Sequence, residues 1–204
     1  MKHLIWNEKM ECAGRREIQD LQLDRLKKTV EVCYEKIPFY RQQFDEIGLK
    51  PRHIETLKDI RHIPFTTAED LKKNYPFGMF AVDKKQIVRL HGSSGTTGKP
   101  KIVGYTKNDI DMWSEVVARV ICAAGGLPED VVQIAFGYGL FTGGFGLHYG
   151  MEKLGAMVVP LSSGNTERQL MLMEDFGTTI LISRHPMGYT WRMKWKRRGL
   201  IKAK

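Results

Sequence analysis

Residues 87–105 read Ile-Val-Arg-Leu-His-Gly-Ser-Ser-Gly-Thr-Thr-Gly-Lys-Pro-Lys-Ile-Val-Gly-Tyr. The two ends, Ile87-Val88-Arg89-Leu90 and Lys101-Ile102-Val103-Gly104-Tyr105, have the composition of short β-strands. Between them, His91–Lys101 holds three glycines, four hydroxyl side chains and two lysines. Glycine lets a backbone turn sharply and bring its N–H groups close to a ligand. Hydroxyls add donors and lysines add charge, a combination that suits a polyphosphate. This is not a Walker loop, because Lys99 is followed by Pro100 and no helix starts there. Composition alone leaves two readings, a plain hairpin turn and a phosphate cradle. An ordinary hairpin rarely needs so many hydroxyls and lysines together.

Downstream, strands and helices alternate. Thr106 and Asp109 form a capping signature before a helix carrying Ile110, Trp113, Val117, Val120 and Ile121, which Gly125-Gly126 ends. Val131–Phe136 reads as a buried strand. A glycine-rich turn and a helix near 143–154 follow, then a strand over Ala156–Pro160. Thr166 and Gln169 are expected to cap a helix to about Phe176, with a further strand at Thr178–Ile182. This order predicts an α/β fold with a mainly parallel sheet. Upstream, Leu23, Leu26, Val30, Cys33 and Ile37 mark an amphipathic helix that Pro38 stops. Residues 39–65 are broken by Gly48, Pro51 and Pro64 into short helices and turns, and Thr67 with Asp70 opens a short helix through Lys73. The expected organisation is a mostly helical segment over 1–86, an α/β part over 87–183, and a basic tail over 184–204.

The 204 residues suffice for one real core. No run approaches the roughly 18 apolar residues of a membrane helix, and the N-terminus turns charged at once, so a cytoplasmic protein without membrane partners is expected. Cys12, Cys33 and Cys122 form no CxxC pair and are expected reduced, and the six histidines show no ligand spacing, so no metal site is expected from protein ligands. The net charge of +9 is uneven. The last 21 residues hold eight basic and no acidic side chains; without those eight the chain has 24 basic against 23 acidic residues. Arginines Arg192, Arg197 and Arg198 and lysines Lys194 and Lys196, with Trp191 and Trp195 interleaved, would suit nucleic-acid backbone contacts and stacking. This reading concerns the tail alone, since the body is neutral, and it is not favoured because the tail is expected to be a frameshift product. Arg15 and Arg16 read as a solvated face.

Ser93–Lys101 resembles the signature loop of the adenylate-forming acyl-, aryl- and luciferase-type enzymes. Pro38-Phe39-Tyr40-Arg41, Ile63-Pro64-Phe65-Thr66-Thr67, Tyr138–Gly144 and Gly164-Asn165-Thr166 narrow the resemblance to the phenylacetate–CoA ligase family, over about residues 4–183. The resemblance implies an incomplete large domain of such an enzyme and a two-step reaction. A carboxylate such as phenylacetate attacks the α-phosphate of Mg2+-bound ATP and releases pyrophosphate; coenzyme A then displaces AMP. By position, Ser93, Ser94, Gly95, Thr96, Thr97, Gly98 and Lys101 would hold the ATP phosphates. Phe136, Tyr138 and Phe141, after the strand at 131–136, would line the aryl pocket, against the alternative that they are ordinary core aromatics. His148, on the next helix, is set aside as structural.

After Ser183 the resemblance stops. A one-base shift of reading frame at residue 184, with codons chosen freely except for Met and Trp, restores a sequence of the family's kind. The tail is therefore expected to be a frameshift product. The family's adenine-, magnesium- and ribose-binding segments and its mobile domain with the catalytic lysine would lie beyond it, so no residue here is expected to be catalytic. The chain alone is expected to be an inactive ligase fragment with an uncovered sheet edge and poor solubility, or the N-terminal half of a split ligase completed by a second chain.

Overall fold

The computed structural model describes residues 5–93 and 98–184. Ser94, Gly95, Thr96 and Thr97 of the loop, and the tail residues Trp191, Arg192, Lys194, Trp195, Lys196, Arg197 and Arg198, lie outside the described residues. The chain forms two compact units, one of residues 8–107 and one of residues 108 onward together with the N-terminal segment.

In the first unit, α1 (Glu8–Glu11) precedes α2 (Arg15–Lys36), α3 (Pro38–Glu46) and α4 (Ala68–Lys73). The spacing of Leu26, Val30, Cys33 and Ile37 turns one face of α2 inward. Val30 joins Phe44, Leu49 and Ile54 in the core, with Leu26, Tyr34, Tyr40 and Ile63 packed around it. Helix α2 begins at Arg15, well before the apolar repeat, because Gly14 takes an extended N-cap conformation and the exposed first turns need only helical propensity. Pro38 both ends α2 and begins α3. It holds Ile37 extended at φ −117°, ψ 105°, and it is itself well suited to the first helical position. Around α4 the capping box forms as read: Asp70 N–H donates to Thr67 Oγ1 at 3.2 Å, and Thr67 N–H donates to Asp70 Oδ2 at 2.8 Å. The hydrogen bonds from the Thr67 hydroxyl and amide hold the Asp70 carboxyl below its ordinary value.

Strands β1 (Ile87–Gly92) and β2 (Ile102–Thr106) pair antiparallel as a separate two-stranded sheet. They group with the helices before them, so the compact units divide after Lys107 and not at the expected residue 86. The packing explains this. A Cβ on Gly104 would lie 2.7 Å from two atoms of the Phe80 ring and 3.1 Å from Ile87 Cδ1, so β2 is pressed against the segment that leads into β1.

The second unit runs α5 (Lys107–Ala123), β3 (Val131–Ile134), α6 (Gly143–Leu154), β4 (Met157–Val159), α7 (Thr166–Asp175) and β5 (Ile180–Ile182). The three strands form a parallel sheet in the order β4-β3-β5, with Val132 opposite both Val158 and Ile180. This is the expected parallel sheet. Its central strand is the most buried, as parallel sheets covered by helices require. Val132, Ile134, Ile121, Met151 and Leu154 make the core. Helix α6 meets α5 through glycines: a Cβ on Gly146 would lie 2.3 Å from Trp113 Cζ2, and one on Gly150 would lie 2.3 Å from Val117 Cγ1. The cap of α7 is Asn165, whose Oδ1 accepts from Arg168 N–H at 3.1 Å; Thr166, the expected cap, is the first helical residue. The partner expected for it, Gln169, instead turns inward. Fully buried Gln133 donates to Gln169 Oε1 at 2.6 Å, Gln169 Nε2 donates to the Ser162 carbonyl at 2.8 Å, and the Thr178 hydroxyl donates to Gln133 Oε1 at 3.2 Å. This satisfied polar network fastens α7 to β3.

None of the three cysteines is in a disulfide: Cys12 is exposed, Cys33 is half-buried with its thiol pushed up by burial, and Cys122 is buried. Among the described residues no helix is long and apolar enough to cross a membrane.

Candidate functional site

The glycine-rich loop rises from the β1–β2 hairpin. The ladder closes with His91 opposite Val103 and Gly92 opposite Ile102. One residue further, Ser93 N–H donates to the Lys101 carbonyl at 3.1 Å, and Lys101 N–H donates to Ser93 Oγ at 3.1 Å. These two bonds fix the neck, and a hydroxyl that accepts in this way can still donate. Below the neck, His91 is buried edge-on to Tyr105 at 5.5 Å between ring centroids. Gly98 sits at φ +124°, a conformation that side chains rarely adopt. The two lysines separate: Lys99 Nζ lies 5.0 Å from the Tyr75 ring centroid, a cation–π distance, whereas Lys101 stands at the neck itself. Of the residues expected to hold phosphates, Ser93 and Lys101 are therefore bonded to each other at the base of the loop, with Gly98 three residues before Lys101 in the chain. Their chemistry, a hydroxyl, a glycine backbone and an ammonium, fits a phosphate ester.

The aromatic residues lie in the second unit. Strand β3 ends at Ile134, and buried Ala135 leads into Phe136, Tyr138 and Phe141, beyond the carboxyl end of a parallel strand. Phe136 and Tyr138 pack against the core cluster, while Phe141 is 61% exposed. The rings of Phe136 and Phe141 converge on the start of α6: a Cβ on Gly143 would lie 3.4 Å from Phe136 Cδ1 and 3.5 Å from Phe141 Cε1. The next glycine brings backbone against backbone, since a Cβ on Gly144 would be 2.9 Å from the Gly137 carbonyl oxygen. The first turn of α6 thus backs the aromatic segment directly.

Tyr138 also reaches the middle of α6. Its hydroxyl lies 3.2 Å from His148 Nδ1, and His148 Nε2 lies 3.0 Å from Glu152 Oε1. The Tyr138 ring stands edge-on to both Phe145, at 5.2 Å, and His148, at 5.8 Å. Burial and the negative charge of Glu152 push the Tyr138 phenol up to about 12, so it stays protonated at ordinary pH. Sequence reasoning set His148 aside. The signal that could have drawn notice was its i,i+4 spacing to Glu152; the contact to Tyr138 depends on the fold.

No family model matches the chain. Over 176 residues, 85% of this chain, it is 53% identical to a phenylacetate–coenzyme A ligase of Escherichia coli (strain K12). The phenylacetate–coenzyme A ligase of Aromatoleum evansii is 54% identical over 175 residues, 86% of this chain. That of Thermus thermophilus is 46% identical over 197 residues, or 97% of this chain. A match of that length cannot fit within residues 1–184, so it runs into the basic tail. The chain spans 40–44% of the length of these relatives and corresponds to their N-terminal portion. Among solved structures, a 2-hydroxyisobutyryl-CoA ligase in complex with 2-HIB-AMP and CoA, in the thioesterification state, superposes with a TM-score of 0.88 at 25% identity. The superposition covers 96% of this chain and 43% of that one. An open conformation of the same ligase gives 0.87 and covers 98% of this chain and 48% of that one.

Proposed function

We propose that the chain is the N-terminal portion of an AMP-forming aryl–CoA ligase, which contributes the ATP-phosphate loop and part of the aryl pocket and does not turn over alone. The observation that carries this reading is the hairpin neck, where Ser93 and Lys101 hold each other through two backbone-directed bonds at the base of a glycine- and hydroxyl-rich loop. Ser93 orients the loop entry and offers a hydroxyl. The Lys101 backbone is fixed at the same point, and its ammonium would offset the charge of a phosphate. Phe136, Tyr138 and Phe141 offer apolar surface for a carboxylate with an aryl group, such as phenylacetate. ATP, bound with Mg2+, would supply the leaving pyrophosphate, and coenzyme A the accepting thiol. The groups that hold the adenosine and complete the reaction would come from the part that corresponds to the remaining length of the relatives.

An ATP–pyrophosphate exchange assay with phenylacetate tests this. The chain alone is expected to give no exchange above a Lys101→Ala control. Exchange is expected when a chain covering the rest of a relative is added, and Lys101→Ala should then lower it by about tenfold to a hundredfold, the loss of one aligned charged contact. Exchange by the chain alone, or the same rate with Lys101→Ala in the complemented assay, would refute the proposal.

A further inference from the structure

We infer that His148 is a positioning residue for the aryl pocket: its imidazole fixes Tyr138, and through Tyr138 the whole segment 136–141. This rests on the reading of that segment as a pocket wall. The direction of the two hydrogen bonds follows from what each group can do. Glu152 Oε1 lies 3.0 Å from His148 Nε2. An ionised carboxylate only accepts, so Nε2 carries the hydrogen, and in the neutral ring Nδ1 is left as an acceptor. The Tyr138 hydroxyl, 3.2 Å away, then donates to Nδ1. The order is Tyr138 O–H to Nδ1, then Nε2–H to Glu152. Because the phenol keeps its proton at ordinary pH, it acts as a donor and not as a nucleophile.

The surroundings make this contact the inward anchor of the segment. Gly137 and Gly139 flank Tyr138 and bring no side chains of their own. Leu140 and Phe141 are 52% and 61% exposed. Within that run the Tyr138 ring stands edge-on to Phe145 and His148, with Gly144 close behind it. With the hydroxyl committed to α6, Tyr138 offers a neighbouring ligand ring carbon and not a polar group. That suits an unsubstituted aryl carboxylate, whose ring brings nothing to hydrogen-bond.

The test is NMR of the 204-residue chain with 15N-labelled histidine. Where the His148 ring is neutral, it is expected as the Nε2–H tautomer; a dominant Nδ1–H tautomer would overturn the inference. His148→Gln keeps an accepting carbonyl and a donating amide, whereas His148→Phe removes both. The ring resonances of Tyr138 and Phe136 are expected to hold their positions with glutamine and to move with phenylalanine. Unmoved resonances in His148→Phe would also overturn it. If that variant does not fold, Tyr138→Phe takes its place: the unprotonated His148 nitrogen should shift as it loses its hydrogen bond, and an unshifted nitrogen counts against the inference. Phenylacetate titrated into the wild-type chain is expected to shift the Phe136 and Tyr138 rings. No shift there removes the pocket and the positioning role with it, while the wrong tautomer removes the clamp and leaves the pocket standing.

Discussion

At Gly98 the backbone sits at φ +124° and a Cβ would meet nothing within 4 Å; at Gly146 a Cβ would lie 2.3 Å from the Trp113 ring. The loop at 92–98 and the run at 137–150 are both glycine-rich, yet glycine serves opposite ends in them. In the loop it permits a backbone path that a side chain would strain. In α6 the backbone is ordinary helix, and glycine permits two helices, and a helix and a loop, to approach more closely than any side chain would allow. The same residue thus marks a turn that a side chain would strain in one unit and close packing in the other. A glycine count along the sequence does not distinguish them.

Substitutions can break this contrast. Gly146→Ala should be the most costly, because three atoms of a rigid indole stand under 3.0 Å from the new methyl. A loss of roughly 3 kcal/mol, the upper end for overpacking, is expected in urea denaturation of the chain. A neutral result would mean that α5 and α6 can part freely. Gln133→Leu attacks the same unit through polarity. It leaves the Gln169 and Thr178 groups without the partner they now have, at roughly 2 kcal/mol in the same measurement. Gly98→Ala should cost about 1 kcal/mol, from φ alone, with no change in the Trp113 environment. A larger loss would show that the loop is packed and not merely turned. The smallest effect concerns Glu115, whose carboxyl is held below its ordinary 4.5 chiefly by hydrogen bonds from Asn7 and Trp6. A depressed carboxyl stabilises the fold above the ordinary value and loses that contribution as pH falls through its lower, folded-state value. Below pH 4.5 the Trp6 indole N–H is therefore expected to lose protection from hydrogen exchange, at a cost under about 1 kcal/mol because the group is only partly shielded. Glu115→Gln should remove the pH dependence.

Much of this was legible in the chain. Thr67 and Asp70 are three apart and meet as a capping box because that geometry is local. The strand–loop–strand at 87–105 and the helix at 143–154 follow from composition and period. What failed was of two kinds. Asn165 and Thr166 are both good caps, and one residue of difference turns on φ at Asn165, +26°, which no propensity scale gives. The start of α2 has few apolar positions to reveal it, and the parting of the units after Lys107 depends on Gly104 meeting Phe80 across the fold. In the candidate site, Ser93 and Lys101 stood out through the resemblance of their loop to a known one; that they bond to each other at the neck is what the structure adds. The Tyr138–His148 contact was not legible, since it needs the segment after β3 to fold back onto α6.

The few residues before α1 have a consequence of their own. Trp6 Nε1 donates to Glu115 Oε2 at 3.0 Å and Asn7 Nδ2 donates to Glu115 Oε1 at 2.9 Å, and Trp6 packs on the core of the later unit. Trp6 and Asn7 leave the ribosome ahead of residues 8–107, yet they belong to the unit that resumes only after that whole stretch. They must wait, unpaired, while the first unit is made. The order of synthesis and the order of assembly run against each other here, and the indole that waits packs on the core of the later unit.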